Sequence, residues 1–271
     1  MLRKAIILLI CLLSLSSYSY ADSEEEFVKY MMENFKGKDF VVEHEQTVQE
    51  EVSEYNPIQS INPYIVYGTI KYPCTIYQNP GKYSIGNLQS GDRVEIIQDK
   101  GYQWYQVKKD YLIGWIHISH LDIDADIPVD PSILQENEIF DFIHKENLKS
   151  NTRYFLLCDV HRQKLYVLMD DKLLKTIPCS TGKNVSPTIR GTYTITDKGN
   201  WFYAPRFNMG AKYWTRFHGA YLIHSIPMDK NKNVIDPILG QRLSSGCIRV
   251  SIEDAQWIQQ YIPYGTSISI L

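Results

Sequence analysis

From residue 65 onward the chain is a succession of short apolar runs, cut off again and again by Gly, Asn, Asp or Pro. Strand-length runs bounded by turn residues leave little room for long helices and dictate a mainly β fold. With 271 residues, 44% of them hydrophobic, the chain has enough apolar material for two buried cores. Tyr (20) outnumbers Phe (9), a bias that suits half-buried strands facing polar ligands.

The first sixty residues differ in character. Arg3 and Lys4 precede an apolar run, Ala5 to Leu15, that is too short to span a bilayer comfortably. Ser19-Tyr20-Ala21 then ends on small residues at the positions a signal peptidase reads. Residues 1–21 therefore read as a signal peptide cleaved after Ala21. The expected location is extracytoplasmic, with no stable membrane span after cleavage. Cys11 lies inside the apolar run without the small-residue context of a lipobox. Residues 22–61 form an acidic spacer, with one short amphipathic helix expected around Phe27 to Met32. The formal net charge of -3 gives no bulk attraction to nucleic acid, so none is expected as a partner.

Residues 62–123 contain strand-like segments at Ile65–Ile70, Cys74–Tyr77, Arg93–Gln98, Trp104–Val107 and Ile113–Ile116. Turns at Asn79-Pro80-Gly81 and Lys100-Gly101 separate them, a pattern that suits a small all-β barrel. The order Gly91-Asp92-Arg93-Val94, Trp104-Tyr105-Gln106-Val107, Gly114-Trp115-Ile116 resembles the bacterial SH3-like domain. That resemblance implies targeting to the cell wall. Trp104 and Trp115 read as core residues, His117 and His120 as surface residues. Residues 124–151 form a linker with a short helix through Ile139 to His144, capped by Asp130 or Ser132.

Residues 152–271 return to strands, at Tyr154–Val160, Gln163–Leu168, Leu173–Ser180, Thr192–Ile195, Gly219–Ser225 and Thr266–Leu271. One helix is expected after Ser251, which stands three residues before Asp254 in a near capping box. The fold expected here is β-sandwich-like with one main helix. Cys74, Cys158, Cys179 and Cys247 show no metal-ligand spacing. An even cysteine count in an exported chain admits disulfides, and a Cys158–Cys179 bridge stays open. Both nevertheless lie in apolar runs, where cysteine serves as a small buried hydrophobe.

Chemistry is concentrated at Ser244-Ser245-Gly246-Cys247-Ile248-Arg249. A glycine lets the backbone approach a ligand closely, and the adjacent cysteine supplies a nucleophile once ionised. Acyl transfer also needs a base and donors for an oxyanion. His224 ends a strand-like run and is the candidate base; the amides of Gly246 and Cys247 are candidate oxyanion donors. His218 is the rival base.

Three features in order resemble the L,D-transpeptidase (YkuD-like) catalytic domain: Cys179-Ser180-Thr181-Gly182 with Pro187-Thr188 and Gly191-Thr192-Tyr193, then Ile223-His224-Ser225, then Ser244-x-Gly246-Cys247-Ile248-Arg249. The resemblance implies that Cys247 is the nucleophile and His224 the general base. Gly246 would belong to the oxyanion hole, and the Ser225 carbonyl would orient the imidazole. Arg249 would either support the turn or meet a substrate carboxylate. Ser244, Tyr213, Trp214 and Arg216 are candidate substrate contacts. The implied substrate is a peptidoglycan stem tetrapeptide, joined in 3→3 cross-links without metal or organic cofactor. An L,D-carboxypeptidase and a catalytically weak wall-binding protein are the alternatives. Ser245 departs from the family pattern, which has a histidine there. The polar stretch from Met228 to Val234 reads as an insertion at the cleft rim.

Overall fold

The computed structural model describes residues 61–271. The signal peptide and nearly all of the acidic spacer expected above lie outside the described residues. Seven strands make the first sheet: β1 (Val66–Ile70), β2 (Cys74–Asn79), β3 (Lys82–Leu88), β4 (Arg93–Lys100), β5 (Trp104–Lys109), β6 (Leu112–His117) and β7 (Leu121–Ile123). They run in the order β3-β2-β6-β5-β4-β1-β7 around a core of Ile70, Ile76, Ile96, Tyr105, Val107 and Ile116. Tyr105 and Ile116 fill that core, whereas their neighbours Trp104 and Trp115 are half-buried, contrary to the core reading of the two tryptophans. The reason is the two-residue period of a strand, which turns adjacent side chains to opposite faces. Trp104 instead meets Tyr77 and His117 edge-on at 6.0 and 5.3 Å.

Helix α1 (Glu136–Lys145) follows. Its start differs from the expectation: Gln135 precedes it, and the Glu138 carboxylate accepts the Gln135 backbone N–H at 2.6 Å. Asp130 is engaged elsewhere, accepting from Ser132 N–H and pairing with Arg162.

The remaining strands form two sheets. The first holds β8 (Tyr154–Asp159), β9 (Lys164–Met169), β10 (Lys172–Pro178), β11 (Gly191–Thr194) and β16 (Ser267–Ile270), in the order β10-β9-β8-β16-β11. Every residue of β8 is buried, as expected of a central strand covered on both faces. Phe155 and Leu157 point to the α1 side, where Ile139, Tyr166, Leu168 and Leu271 join them. The other sheet is β12 (Asp197–Ala204), β13 (Met209–His218), β14 (Tyr221–Ser225) and β15 (Ile248–Val250), with α2 (Ile252–Tyr261) packed on β13 and β14. Ser251 caps α2 by accepting the Asp254 N–H at 3.0 Å.

Cys158 and Cys179 are buried and unbridged, and the Cys179 side chain together with burial pushes the Cys158 thiol well up. Among the described residues no helix is long and apolar enough to cross a membrane.

Residues 61–271 lie within one compact unit, so the seven-stranded domain packs directly on the two-sheet domain. Glu95 pairs with Arg190, Tyr105 Oη donates to the Val185 carbonyl at 2.7 Å, and Ser186 Oγ donates to Asp99. Tyr64 Oη reaches Asn184 Oδ1 at 2.9 Å. The β4–β5 turn thereby lies against the loop 183–190, close to Cys247.

Candidate active site

The turn 244–247 is built by its own small side chains. Ser244 Oγ donates to the Cys247 carbonyl and accepts the Gly246 N–H at 3.1 Å. Gly246 has φ +104, a conformation that any side chain would strain, and an added Cβ would stand 2.7 Å from the Tyr221 ring. A second set of bonds clamps this turn from outside. Thr188 Oγ1 donates to the Gly246 carbonyl at 2.8 Å and accepts the Gly182 N–H at 2.9 Å. Ser180 exchanges two 2.8 Å backbone bonds with Arg249, and Ser244 N–H reaches the Thr181 carbonyl at 2.9 Å. The Ser180-Thr181-Gly182 and Pro187-Thr188 stretches are therefore the scaffold of the cysteine turn. Thr188 is a site residue to which sequence reasoning attached no role; its place in a Pro-Thr pair was the available signal.

His224 comes from the buried strand β14, which pairs in parallel with β15 so that His224 stands opposite Arg249. Its Nδ1 lies 2.6 Å from the Ser225 carbonyl oxygen. A carbonyl only accepts, so Nδ1 carries the proton and Nε2 presents a lone pair. The Phe202 ring meets the imidazole edge-on at 5.4 Å. Burial pushes the His224 pKa down to about 4, opposed by the Ser225 carbonyl and assisted by the Arg249 charge. Burial also pushes the Cys247 thiol up; the Leu222 N–H and the charges of Arg249 and Arg216 pull it back. The resting pair is thus neutral thiol and neutral imidazole.

This has a consequence for folding. An unfolded His224 titrates near 6.5 and the folded one near 4, so between those values the unfolded chain binds the extra proton. The stability from a neutral His224 is complete above about pH 6.5 and falls by up to about 3 kcal/mol as pH drops to about 4. Urea unfolding at pH 7 and pH 4 should show His224→Gln losing less stability than the parent over that interval. An equal loss in both proteins would contradict the buried neutral imidazole.

Cys247 and His224 line one cleft of about 420 Å³, together with Ser244, Ser245, Arg216 and Arg249. Cys247 Sγ lies 3.7 Å from the Ala220 carbonyl. Arg249 is buried and pairs with Asp236 at 3.3 Å, leaving its Nε without a partner. Asp236 carries no sequence motif and was missed. Three expectations, for Gly246, Tyr213 and Trp214, need correction. The Gly246 amide donates to Ser244 Oγ instead of standing free for an oxyanion, so Gly246 serves the turn geometry. Tyr213 and Trp214 do not line the cleft; Trp214 packs on Gly199 and under the Arg216 guanidinium. Arg216 stands two residues after Trp214 on the same face of β13, so its guanidinium covers the Trp214 ring and is itself the group that lines the cleft. In the stretch 228–234, Asp229 forms a turn through Asn231, Asn233 and Lys232, and Met228 pairs with Gly210, a cleft-lining residue, through two 2.8 Å backbone bonds. His218, at the exposed end of β13, packs on Tyr193 at 4.8 Å rather than lining the cleft.

One wall of the cleft comes from the N-terminal domain. Asp99 near the end of β4 and Gly101 and Tyr102 of the β4–β5 turn line it, and Tyr102 Oη donates to Ser245 Oγ at 2.5 Å. No local sequence pattern announces a contact spanning 143 residues.

Comparison with known proteins adds the following. Residues 153–270 match the family model described as the L,D-transpeptidase catalytic domain, and residues 75–122 the model described as the bacterial SH3 domain. The chain is similar to a Bacillus subtilis protein named Putative L,D-transpeptidase YciB, with 35% identity over 121 residues, 41% of this chain and 62% of that protein. It is similar to a Bacillus licheniformis protein named Putative L,D-transpeptidase YkuD, with 26% identity over 117 residues, 43% of this chain and 65% of that protein. Among solved structures, a fused Zn-dependent amidase/peptidase/peptidoglycan-binding domain-containing protein from Clostridium acetobutylicum shares 33% identity, covering 53% of this chain and 66% of that one, with a TM-score of 0.39. The matches thus span less than two thirds of the length of each of these relatives.

Proposed function

We propose, from the match of residues 153–270 to the L,D-transpeptidase catalytic domain and of residues 75–122 to the bacterial SH3 domain, that the protein cross-links peptidoglycan through an acyl-enzyme on Cys247. The observation that carries this reading is a cysteine and a histidine lining one cleft, the histidine fixed by the Ser225 carbonyl with Nε2 as its basic nitrogen. Cys247 sulfur attacks the carbonyl of the third residue of a stem tetrapeptide, a diamino acid, while His224 Nε2 takes the thiol proton. The Cys247 amide receives the oxyanion. Collapse of the tetrahedral intermediate breaks the peptide bond, and the departing D-Ala nitrogen takes the proton from His224. A side-chain amine of a neighbouring stem then attacks the thioester, gives its proton to His224 and expels the thiolate, which is reprotonated. The product is a 3→3 cross-link. This chemistry draws on no metal or organic cofactor. It places the protein outside the cytoplasmic membrane, at the cell wall, where it contributes to wall biogenesis and cell shape.

The test is incubation of the protein with disaccharide-tetrapeptide, followed by mass analysis. Cross-linked dimer and a Cys247 adduct are expected. Tripeptide alone would assign the acceptor role to water and make the enzyme an L,D-carboxypeptidase. Absence of both product and adduct would overturn the enzymatic reading and leave a wall-binding protein.

A further inference from the structure

The SH3 domain's contribution to the cleft goes beyond closing a gap. Tyr102 sits at the tip of the β4–β5 turn with φ +58, held by its N–H on the Asp99 carboxylate at 2.9 Å. Its hydroxyl fastens to Ser245, two residues from Cys247. Its ring faces the Arg206 guanidinium at 5.6 Å, and Phe207 faces the same group at 5.3 Å. Arg206 also lies over the backbone of Gly101, where an added Cβ would come within 3.4 Å of both terminal nitrogens. Arg206 has no carboxylate partner among the described residues, whereas the cleft's other arginines do: Arg216 has Asp197 and Arg249 has Asp236. Among the described residues the only carboxylate lining the cleft, Asp99, is occupied by Ser186 and the Tyr102 amide. The result is an exposed guanidinium in contact with two rings, lining the cleft with no acid paired to it among the described residues.

We propose that the SH3 turn is a specificity element of the cleft, with Tyr102 holding Arg206 to receive a carboxylate of an anionic peptide. A planar guanidinium pre-set by ring contacts loses little freedom when it binds a carboxylate in two-pronged fashion. Tyr102 is the positioning residue and Arg206 the binding residue. The identity of the peptide, a wall stem, rests on the function proposed above; the anionic subsite does not.

Two measurements keep these apart. The first is the rate at which iodoacetate and iodoacetamide alkylate Cys247, followed by peptide mapping. The ratio of the anionic to the neutral reagent should fall about threefold or more in Arg206→Gln. It should fall similarly in Tyr102→Ala and hold in Tyr102→Phe, which keeps the ring. An unchanged ratio in Arg206→Gln, or equal losses in Tyr102→Phe and Tyr102→Ala, would overturn the proposal. The second uses tetrapeptides in which one carboxylate at a time is converted to its carboxamide. With the parent protein one member should lose about tenfold in kcat/KM, and Arg206→Gln should treat that member and the full acid alike. If Arg206→Gln keeps the parent's discrimination, the proposal is wrong. If the parent turns over no peptide while the alkylation ratio falls as expected, the transpeptidase reading fails and the anionic subsite stands.

Discussion

Cys247→Ala protein is expected to form neither acyl adduct nor product, and His224→Gln protein to form the adduct about 10²–10⁴-fold more slowly. The asymmetry follows from the roles. Without sulfur there is no bond to make. Without the imidazole the thiol remains, but burial holds it protonated and nothing nearby removes the proton. His218→Ala should acylate at close to the parent rate, because His218 sits at the exposed end of β13 against Tyr193. Single-turnover acylation followed by intact mass reads all three. The acid limb of the parent's acylation profile should lie near pH 4, where His224 titrates, rather than near the 6.5 of a free imidazole. A limb near 6.5, or His218→Ala slower than His224→Gln, would refute the assignment.

Gly182→Ala is expected to be the most damaging substitution outside the cleft. A Cβ there would stand 2.2 Å from the Ser186 carbonyl oxygen and 2.7 Å from the Thr188 amide nitrogen. Both are backbone atoms, which have no rotamer with which to yield. Relief requires opening the loop 182–188, which releases Thr188 from Gly182 and Gly246 together. A loss of about 3 kcal/mol or more is expected in urea unfolding, with acylation lost in parallel. Thr188→Val separates the two effects. It removes the bridging hydroxyl without a clash and should cost about 1–3 kcal/mol while slowing acylation. A Gly182→Ala protein of parental stability would mean the loop accommodates a side chain that this packing forbids.

The sequence announces the elements whose side chains repeat cleanly. β8 and β9 are nearly continuous apolar runs because both of their faces are covered, β16 alternates Ser with Ile, and α2 declares itself through Ser251 and Asp254. The β12–β13 hairpin was not anticipated as a pair of strands. It is only partly buried, mixes Lys198, Asn200, Lys212 and Arg216 with aromatics, and bends at Tyr213, whose φ is +53. Its alternation is therefore blurred by tertiary demands. The start of α1 was misplaced because Gln135 is an unusual cap; the informative residue was Glu138, three positions on. At the site, Cys247 and His224 stand out by residue type and neighbours. Tyr102, Arg206 and Asp236 do not, because their relevance arises from packing between distant segments, which local pattern cannot express.

The parallel pairing of β14 with β15 has a further consequence, for when the site comes into being. A parallel pair cannot close through a tight turn, and the excursion between Ser225 and Ile248, which bonds to residues 179–183, has to close before Cys247 shares the cleft with His224. The wall carrying Tyr102 is separated from Ser245 by 143 residues and docks across a still longer closure. Contacts of such separation form late, after the local hairpins, since the entropy of closing the chain must be met first. Reactivity is therefore a property of the finished molecule. A chain in which these long-range contacts have yet to form carries a thiol with no imidazole held in the same cleft.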